Sequence, residues 1–271
     1  MGGFFLNFKM ALGDLTSHDT KIEEGLNYLL WHFESIDRTT IWPRTISTRI
    51  TEGRQMLAYD QKEVMTRFQQ ANFPDCRISA YPGHMKGTVV KVKQAPNFLF
   101  IDLDSKILDL EKELKQTLVN IKTQFGDKSI EPTVLWSGKG YHIYLPVNSL
   151  ALEDESLFED IEIYDPSRKF IQWSEQYLTD NKADPCHSKG VSFNNCMLRV
   201  PGSINSKVNR EVTIVQHWNG VKPSIKPLLY DFYIHLADAK LKEVQGLRTR
   251  EVAVTGKFRS YRITKRSGPI Y

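Results

Sequence analysis

The sequence predicts an α/β (α+β) protein built on an RRM-like, mixed or antiparallel sheet with flanking helices, preceded by an N-terminal α/β subdomain. Three observations carry that prediction. Phe98-Leu-Phe-Ile-Asp-Leu-Asp104 is an apolar run of strand length, Lys106 to Phe125 is an amphipathic stretch, and two further apolar runs then flank a glycine-rich turn. Strand, helix and hairpin in that order open an RRM-like sheet.

The elements follow in chain order. Met1-Gly-Gly-Phe-Phe-Leu6 is too short and lacks the basic lead of a signal peptide, and no run is long and apolar enough to span a bilayer. The chain is therefore expected to be cytosolic. Helices are expected near Thr20 to Phe33 and Gln61 to Ala71. The intervening Arg44-Thr-Ile-Ser-Thr-Arg49 and Gly53-Arg54-Gln55 read as a basic loop, either solvated or touching template phosphate or incoming nucleotide. Cys76 to Pro82 reads as a strand and completes an N-terminal α/β part of about 1–90.

From about 91 to 245 the RRM-like part follows. Ile107, Leu110, Leu114, Leu118, Ile121 and Phe125 recur at helical spacing, with Glu and Lys opposite, which suits a helix covering a sheet. Pro132-Thr-Val-Leu-Trp136 is a strand, Ser137-Gly-Lys-Gly140 a tight turn and Tyr141-His-Ile-Tyr-Leu-Pro146 the returning strand. Ser167 to Leu178 reads as a helix with Phe170, Ile171, Trp173, Ser174 and Tyr177 on its apolar side. It leads into Asn181-Lys-Ala-Asp-Pro185, and after a polar loop Cys196-Met-Leu-Arg-Val200 is a short strand broken by Pro201-Gly202.

Three clusters carry chemistry. Side chains at i and i+2 leave a strand on one face, so Asp102 and Asp104 point together while Ile101 and Leu103 pack behind them. Two carboxylates so close raise each other's pKa, and a cation or basic partner keeps both ionised. Asp-x-Asp at a strand end also occurs as a solvated terminus or a helix cap. In the turn, Gly138 and Gly140 allow close backbone approach, Lys139 adds charge, and Ser137 and His142 can donate from either side, which suits a triphosphate. The same turn is also found in ordinary hairpins. Arg199, Ser203, Asn205 and Lys207 are donors with no acid nearby in sequence, a set that prefers an anion.

Taken together, these segments resemble the catalytic domain of archaeo-eukaryotic primases, and more closely the primase-polymerases of archaeal plasmids, viruses and related replicons. Asp102 and Asp104 match the family's strand ending in Asp-x-Asp. Ser137-Gly-Lys-Gly-Tyr-His142 matches its Ser-to-His turn, Asp184 its third acid, and Arg199-Val-Pro-Gly-Ser-Ile-Asn-Ser-Lys207 the basic turn that commonly follows. The resemblance covers about Asp75 to Trp218. It implies the archaeo-eukaryotic primase fold and nucleotidyl transfer by two divalent ions. Mg²⁺ or Mn²⁺ would sit on Asp102, Asp104 and Asp184, and the triphosphate on Ser137, Gly138, Lys139, Gly140, His142, Arg199, Ser203, Asn205 and Lys207. The expected partners are single-stranded DNA template and NTP or dNTP.

Residues 246–271 are expected to form a basic linker. It would lead toward a C-terminal helical domain or an accessory primase subunit. Arg248, Arg250, Lys257, Arg259, Arg262, Lys265 and Arg266 stand there against the single acid Glu251, either as a solvated tail or as a DNA-contacting segment. The net charge of +4 over 271 residues makes nucleic-acid binding depend on where the charge sits. Three cysteines form no disulfide framework, though Cys186, His187 and Cys196 could supply three of four zinc ligands with His84 or His217 as a distant fourth. Burial of Cys196 as a small hydrophobe is the other reading. Three function classes compete with the primase one. A metal-dependent nuclease would not need two triphosphate-gripping clusters, a glycosyltransferase could use Asp-x-Asp with a nucleotide sugar, and a non-catalytic RRM-like module would put aromatics rather than acids on the sheet face.

Overall fold

The computed structural model describes residues 17–36, 41–82, 97–104, 109–148, 166–184, 187, 190–192 and 195–265; within these, 17, 35–36, 166–167 and 246–265 are described by their backbone alone. Helix α1, Ser17–Ile36, is followed by strands β1, Arg44–Ser47, and β2, Met56–Ala58, helix α2, Gln61–Gln70, and strand β3, Arg77–Pro82. Then come β4, Phe98–Leu103, helix α3, Leu110–Gln124, and the hairpin of β5, Thr133–Trp136, and β6, Tyr141–Pro146. Helix α4, Pro166–Leu178, precedes the short strands β7, Met197–Arg199, β8, Ile204–Asn205, β9, Arg210–Glu211, and β10, Thr213–Gln216, and α5, Lys226–Lys265, ends the described chain.

The result is an α+β fold with antiparallel sheets and flanking helices. One sheet has the order β2-β1-β3-β7, a second β10-β5-β6-β4, and β8 pairs with β9 alone. Every pairing between the named strands is antiparallel. Strand alternation does the sorting in β4. Leu99, Ile101 and Leu103 are buried on one face, while Phe98 and Phe100 share the other with Asp102. Helices α3 and α4 pack on β4, and α1 packs on β6. Helix α3 begins where Asp109 accepts from the Lys112 backbone N–H at 3.1 Å, so the amphipathic stretch is helical from Leu110 onward, and residues 105–108 lie outside the described set.

The stretch expected to be a basic loop is built differently. Arg44 opens β1, and its guanidinium is buried: Nε donates to the Ile41 carbonyl at 2.8 Å, Nη1 to the Ser79 carbonyl at 2.9 Å, and the Arg44 Cζ lies 3.6 Å from the centroid of the Phe33 ring. Burial pulls its pKa down to about 9. This charge holds two strands and a helix together and does not face a ligand.

The described residues up to Lys226 form one compact unit and those from Pro227 a second. Helix α5 runs unbroken for 40 residues, through Gln245 and Gly246. The basic side chains expected to touch DNA lie outside the described set, as does Arg266 altogether. Among the described residues no helix is long and apolar enough to cross a membrane.

Candidate active-site cleft

Both larger sheets open onto one cleft of about 190 Å³. Arg77 from β3 and Met197 and Arg199 from β7 line it from one sheet; Phe100 and Asp102 from β4 and His142 from β6 line it from the other. Asp104, Ser137, Lys139, Gly140, Asp184, His187, Asn205 and Lys207 complete the wall. Asp102, Asp104 and Asp184 thus meet Lys139, His142, Arg199, Asn205 and Lys207 in one place, although they are far apart in sequence. Gly138, Ser203 and Cys196 do not line the cleft, and Cys186 lies outside the described residues.

Register explains the acid side. Asp102 pairs with His142 across β4 and β6, so their side chains share a face, and His142 Nε2 comes within 3.6 Å of Asp102 Oδ1. The Asp102 main chain is pinned on its open edge, where its N–H donates to Glu175 Oε1 at 2.9 Å and its carbonyl accepts from the Asp184 N–H at 2.9 Å. Burial pushes the Asp102 carboxyl up to about 6; His187 opposes the rise, and Glu175, Asp184 and Asp104 add to it. Beyond the strand, Asp104 is held by Lys139 Nζ, 3.0 Å from Oδ1 and 3.3 Å from Oδ2.

The turn is tighter than its glycines alone imply. A Cβ on Gly140 would fall 2.1 Å from the Leu103 carbonyl oxygen, and one on Gly138, whose φ is +86°, would fall 2.9 Å from Arg210 Cβ. The space these glycines leave is filled by the protein's own backbone and side chains rather than left for a ligand. That close approach sets Lys139 beside Asp104. The Ser137 hydroxyl is engaged within the turn, donating to the Gly140 carbonyl at 3.0 Å and accepting from its N–H at 3.2 Å.

His142 is neutral, because burial first, and then Arg199, His187 and Arg77, hold its pKa well below the ordinary range. Its Nδ1 is 3.2 Å from the Tyr144 hydroxyl, which also accepts the Arg199 backbone N–H at 2.9 Å. Among the described residues the Tyr144 proton has only Nδ1 to go to. Nε2 therefore carries the hydrogen, beside Asp102.

The basic turn is corrected in two respects. Arg199 is not remote from an acid: its Nη1 donates to Asp75 Oδ1 at 2.9 Å, and Asp75 also accepts from Ser206. Ser203 is fully buried, and its hydroxyl donates to the Val200 carbonyl at 2.6 Å, so it closes the Pro201-Gly202 turn. Asn205 donates to the Ser137 carbonyl at 2.7 Å and ties this turn to the hairpin.

Two residues escape a reading of the sequence. Arg77 pairs in register with Arg199 and lines the cleft, yet among the described residues its guanidinium makes no direct hydrogen bond or ion pair, its buried Nε is unsatisfied, and Asp75 and Asp102 attract it only at longer range. Burial lowers its pKa, with Arg199 adding to the effect. Glu175 lies on α4 with its side chain fully buried. An acid four residues after Ile171, inside the apolar stripe of Phe170, Ile171 and Leu178, is the one signal that points to it.

Among the described residues no three His, Cys, Asp or Glu side chains form a ready-made cage for a divalent ion. The carboxylates nevertheless suit Mg²⁺ or Mn²⁺, which take one or two protein carboxylates and complete their shell from water and substrate phosphate. The carboxylate crowding that raises Asp102 is relieved by a cation. Asp102, Asp104 and Asp184 are thus the groups that could hold one. Of the zinc candidates, those described are engaged elsewhere: His187 Nδ1 is 2.7 Å from Glu175 Oε1, the His217 ring packs on Tyr28 with centroids 5.2 Å apart, and burial pushes the Cys196 thiol up, away from the thiolate zinc requires. Cys186 and His84 lie outside the described residues.

No family model and no curated protein matches this chain. Among solved structures the chain is similar to the AEP domain of the cyanophage S-2L primase-polymerase (PrimPol), at 13% sequence identity over 76% of this chain and 96% of that one, with a TM-score of 0.46.

Proposed function

We propose that the chain is a template-directed nucleotidyltransferase, a DNA primase, a DNA polymerase or both, that joins NTPs or dNTPs on single-stranded DNA with Mg²⁺ or Mn²⁺. One observation carries this reading. A single cleft gathers three carboxylates, on and beside the β4 edge, with the cations Arg77, Lys139, Arg199 and Lys207. That is the pattern needed to hold a metal-bound polyanion, and the three sequence motifs of archaeo-eukaryotic primases supply most of its members.

Asp102, Asp104 and Asp184 would hold the metal, which supplies charge neutralisation at the phosphates and lowers the pKa of an attacking 3′-hydroxyl. The chain's own residues do the positioning. Lys139, whose side chain is 44% exposed, is free to leave Asp104 for a phosphate oxygen when a cation takes its place. Arg77 makes no direct ion pair among the described residues, Asp75 and Asp102 acting on it only at longer range, so its guanidinium is open to the triphosphate. The neutral His142 offers its Nε2–H to an oxygen beside Asp102. Arg199, already bound to Asp75, acts as a fixed charge, and Asn205 keeps the two turns in register. Gly140 shapes the hairpin turn within the cleft wall, while Gly138 and Ser203 shape their turns from outside it. Single-stranded DNA, and a C-terminal helical domain or accessory subunit reached through the basic segment after Gln245, complete the proposed partners.

The test is incubation of the chain with single-stranded template, labelled NTPs or dNTPs and Mg²⁺ or Mn²⁺, with and without primer, beside Asp104→Ala. Template-dependent product that disappears in the variant is expected. Cleaved template without synthesis indicates a metal-dependent nuclease instead, and tight single-strand binding with neither product indicates a non-catalytic RRM-like module.

A further inference from the structure

We propose that Glu175 is a positioning residue and His187 a substrate-contacting donor, an inference that rests on the nucleotidyltransferase reading above. A single oxygen, Glu175 Oε1, accepts both the Asp102 backbone N–H at 2.9 Å and His187 Nδ1–H at 2.7 Å, and so couples the metal platform to an imidazole on the same cleft.

Glu175 is in an expensive place. Its side chain is 0% exposed, and among the described residues no Lys or Arg pairs with it, His187 alone engages it ionically, and its second oxygen has no partner. A carboxylate buried with one oxygen unsatisfied costs stability relative to an apolar residue of similar size. Packing alone would therefore favour Gln, Leu or Met on this face of α4. What the carboxylate achieves is geometric. Strand β4 is an edge strand, so the Asp102 N–H has no strand partner on that side, and Glu175 fixes it while the Asp184 N–H fixes the adjoining carbonyl. The Asp102 peptide, and with it the direction of the Asp102 carboxylate, is held from both ends.

The same oxygen orients His187. With Nδ1 engaged and the ring edge-on to Phe100 at a centroid distance of 4.3 Å, the imidazole cannot turn freely. Its Nε2 has no partner among the described residues, and the residue lines the cleft with Asp102 and Asp184. With Nδ1–H given to Glu175, it is the imidazolium, the form that the Glu175 carboxylate beside it favours, that carries a second hydrogen on Nε2 and presents it to the cleft. A phosphate oxygen of the bound nucleotide is the acceptor that chemistry selects.

The measurements are Mg²⁺-dependent binding of a fluorescent dATP analogue, KM and kcat for transfer, thermal unfolding, and ¹⁵N-histidine spectra. They are made on the wild-type chain, His187→Ala, Glu175→Gln, Glu175→Ala and the Glu175→Ala/His187→Ala double variant. Expected is a roughly tenfold or greater weakening of nucleotide binding in His187→Ala with the unfolding temperature unchanged. Glu175→Gln, which keeps an acceptor oxygen but not the charge that favours the imidazolium, falls between wild type and Glu175→Ala and loses more as the pH rises, Glu175→Ala loses at least as much as His187→Ala, and the double variant is no worse than Glu175→Ala. The His187 Nε2 resonance moves when nucleotide is added. Nucleotide binding equal to wild type in His187→Ala, or a Glu175→Ala variant that loses only thermal stability, overturns the inference while leaving the nucleotidyltransferase reading in place. Should Glu175→Ala not fold, the His187→Ala and Glu175→Gln measurements decide alone. A wild-type chain that binds no nucleoside triphosphate with Mg²⁺ overturns both.

Discussion

Replacing Asp102 by Asn should stabilise the chain in metal-free solution at alkaline pH while abolishing transfer. Asp102 is held at about 6 against an ordinary 3.8 by burial, which His187 opposes and Glu175, Asp184 and Asp104 reinforce. Each pKa unit is worth about 1.36 kcal/mol, so the ionised carboxylate destabilises the folded chain by about 3 kcal/mol. The direction follows from the raised folded value. Near pH 4 and below, the carboxyl is protonated in the folded chain and increasingly so in the unfolded one, and the penalty vanishes. It grows as the pH rises through 4 to 6 and is complete above that. Asn has nearly the same shape and never ionises. Unfolding by urea or heat in the presence of chelator should therefore give a gap near zero at pH 4 that widens to at most about 3 kcal/mol at pH 8, on the order of 6–12 °C in Tm for a chain of this size. Saturating Mg²⁺ should narrow the gap from the wild-type side, because bound cation stabilises only the chain that keeps the carboxylate. A gap independent of pH, or a less stable variant at pH 8, would refute the claim that this carboxylate is held ionised at a cost.

Four further outcomes are expected. Arg77→Ala and Lys139→Ala should each raise the nucleotide KM by about tenfold to a hundredfold with little loss of stability in urea, since neither side chain closes a buried pair. Arg199→Ala should instead lower stability by about 2–4 kcal/mol in the same titration, because it strands the half-buried Asp75 carboxylate. Gly140→Ala should lose both stability and transfer, since its Cβ would lie 2.1 Å from the Leu103 carbonyl and 3.1 Å from Asp104 Cα, both backbone; wild-type activity in that variant would contradict the packing. If the basic segment after Gln245 binds DNA phosphates, truncation before Gly246 should reduce the log–log salt slope of single-strand binding by ~0.7 for each phosphate no longer neutralised, with nucleotide affinity unchanged.

How much of this was legible in the sequence depends on which interactions are local. Strand β4, the β5–β6 hairpin and helices α1 to α4 could be read because their side-chain periods are written in consecutive residues. Asp102 and Asp104 share a face by alternation alone, and the pairing of Asp102 with His142 follows once β4 and β6 are neighbours. Strands β1 and β2 were not legible: they are four and three residues long, and Arg44 carries a charge that only the Phe33 ring and two carbonyls make tolerable in a core. Arg77 looked like the ordinary first residue of a strand. Its position in the cleft comes from antiparallel pairing with β7, far along the chain.

The cations of the cleft also could not be ranked from sequence, and ranking them is what gives the site its direction. Arg199 sits in the most recognisable motif, yet Asp75, which lies well upstream, already neutralises it. Arg77 belongs to no motif and makes no direct ion pair among the described residues. Lys139 is paired with Asp104, but through an exposed side chain, so the pair is cheap to break. A polyanion entering this cleft with a divalent ion therefore meets one fixed, neutralised guanidinium, one open guanidinium beside it on the same sheet, and one lysine that the arriving ion displaces from an acid. The ion and the phosphates become interdependent. The cation needs Asp104 freed of Lys139, and Lys139 then needs a new anion, which the nucleotide supplies. Nucleotide should consequently tighten divalent-ion binding by the same factor as the ion tightens nucleotide binding, and Lys139→Ala should reduce that factor by removing the competing partner from Asp104. Titrating Mn²⁺ by its paramagnetic signal with and without a non-hydrolysable nucleotide measures the factor directly. Equal coupling in wild type and Lys139→Ala would mean that the Lys139–Asp104 pair is a bystander.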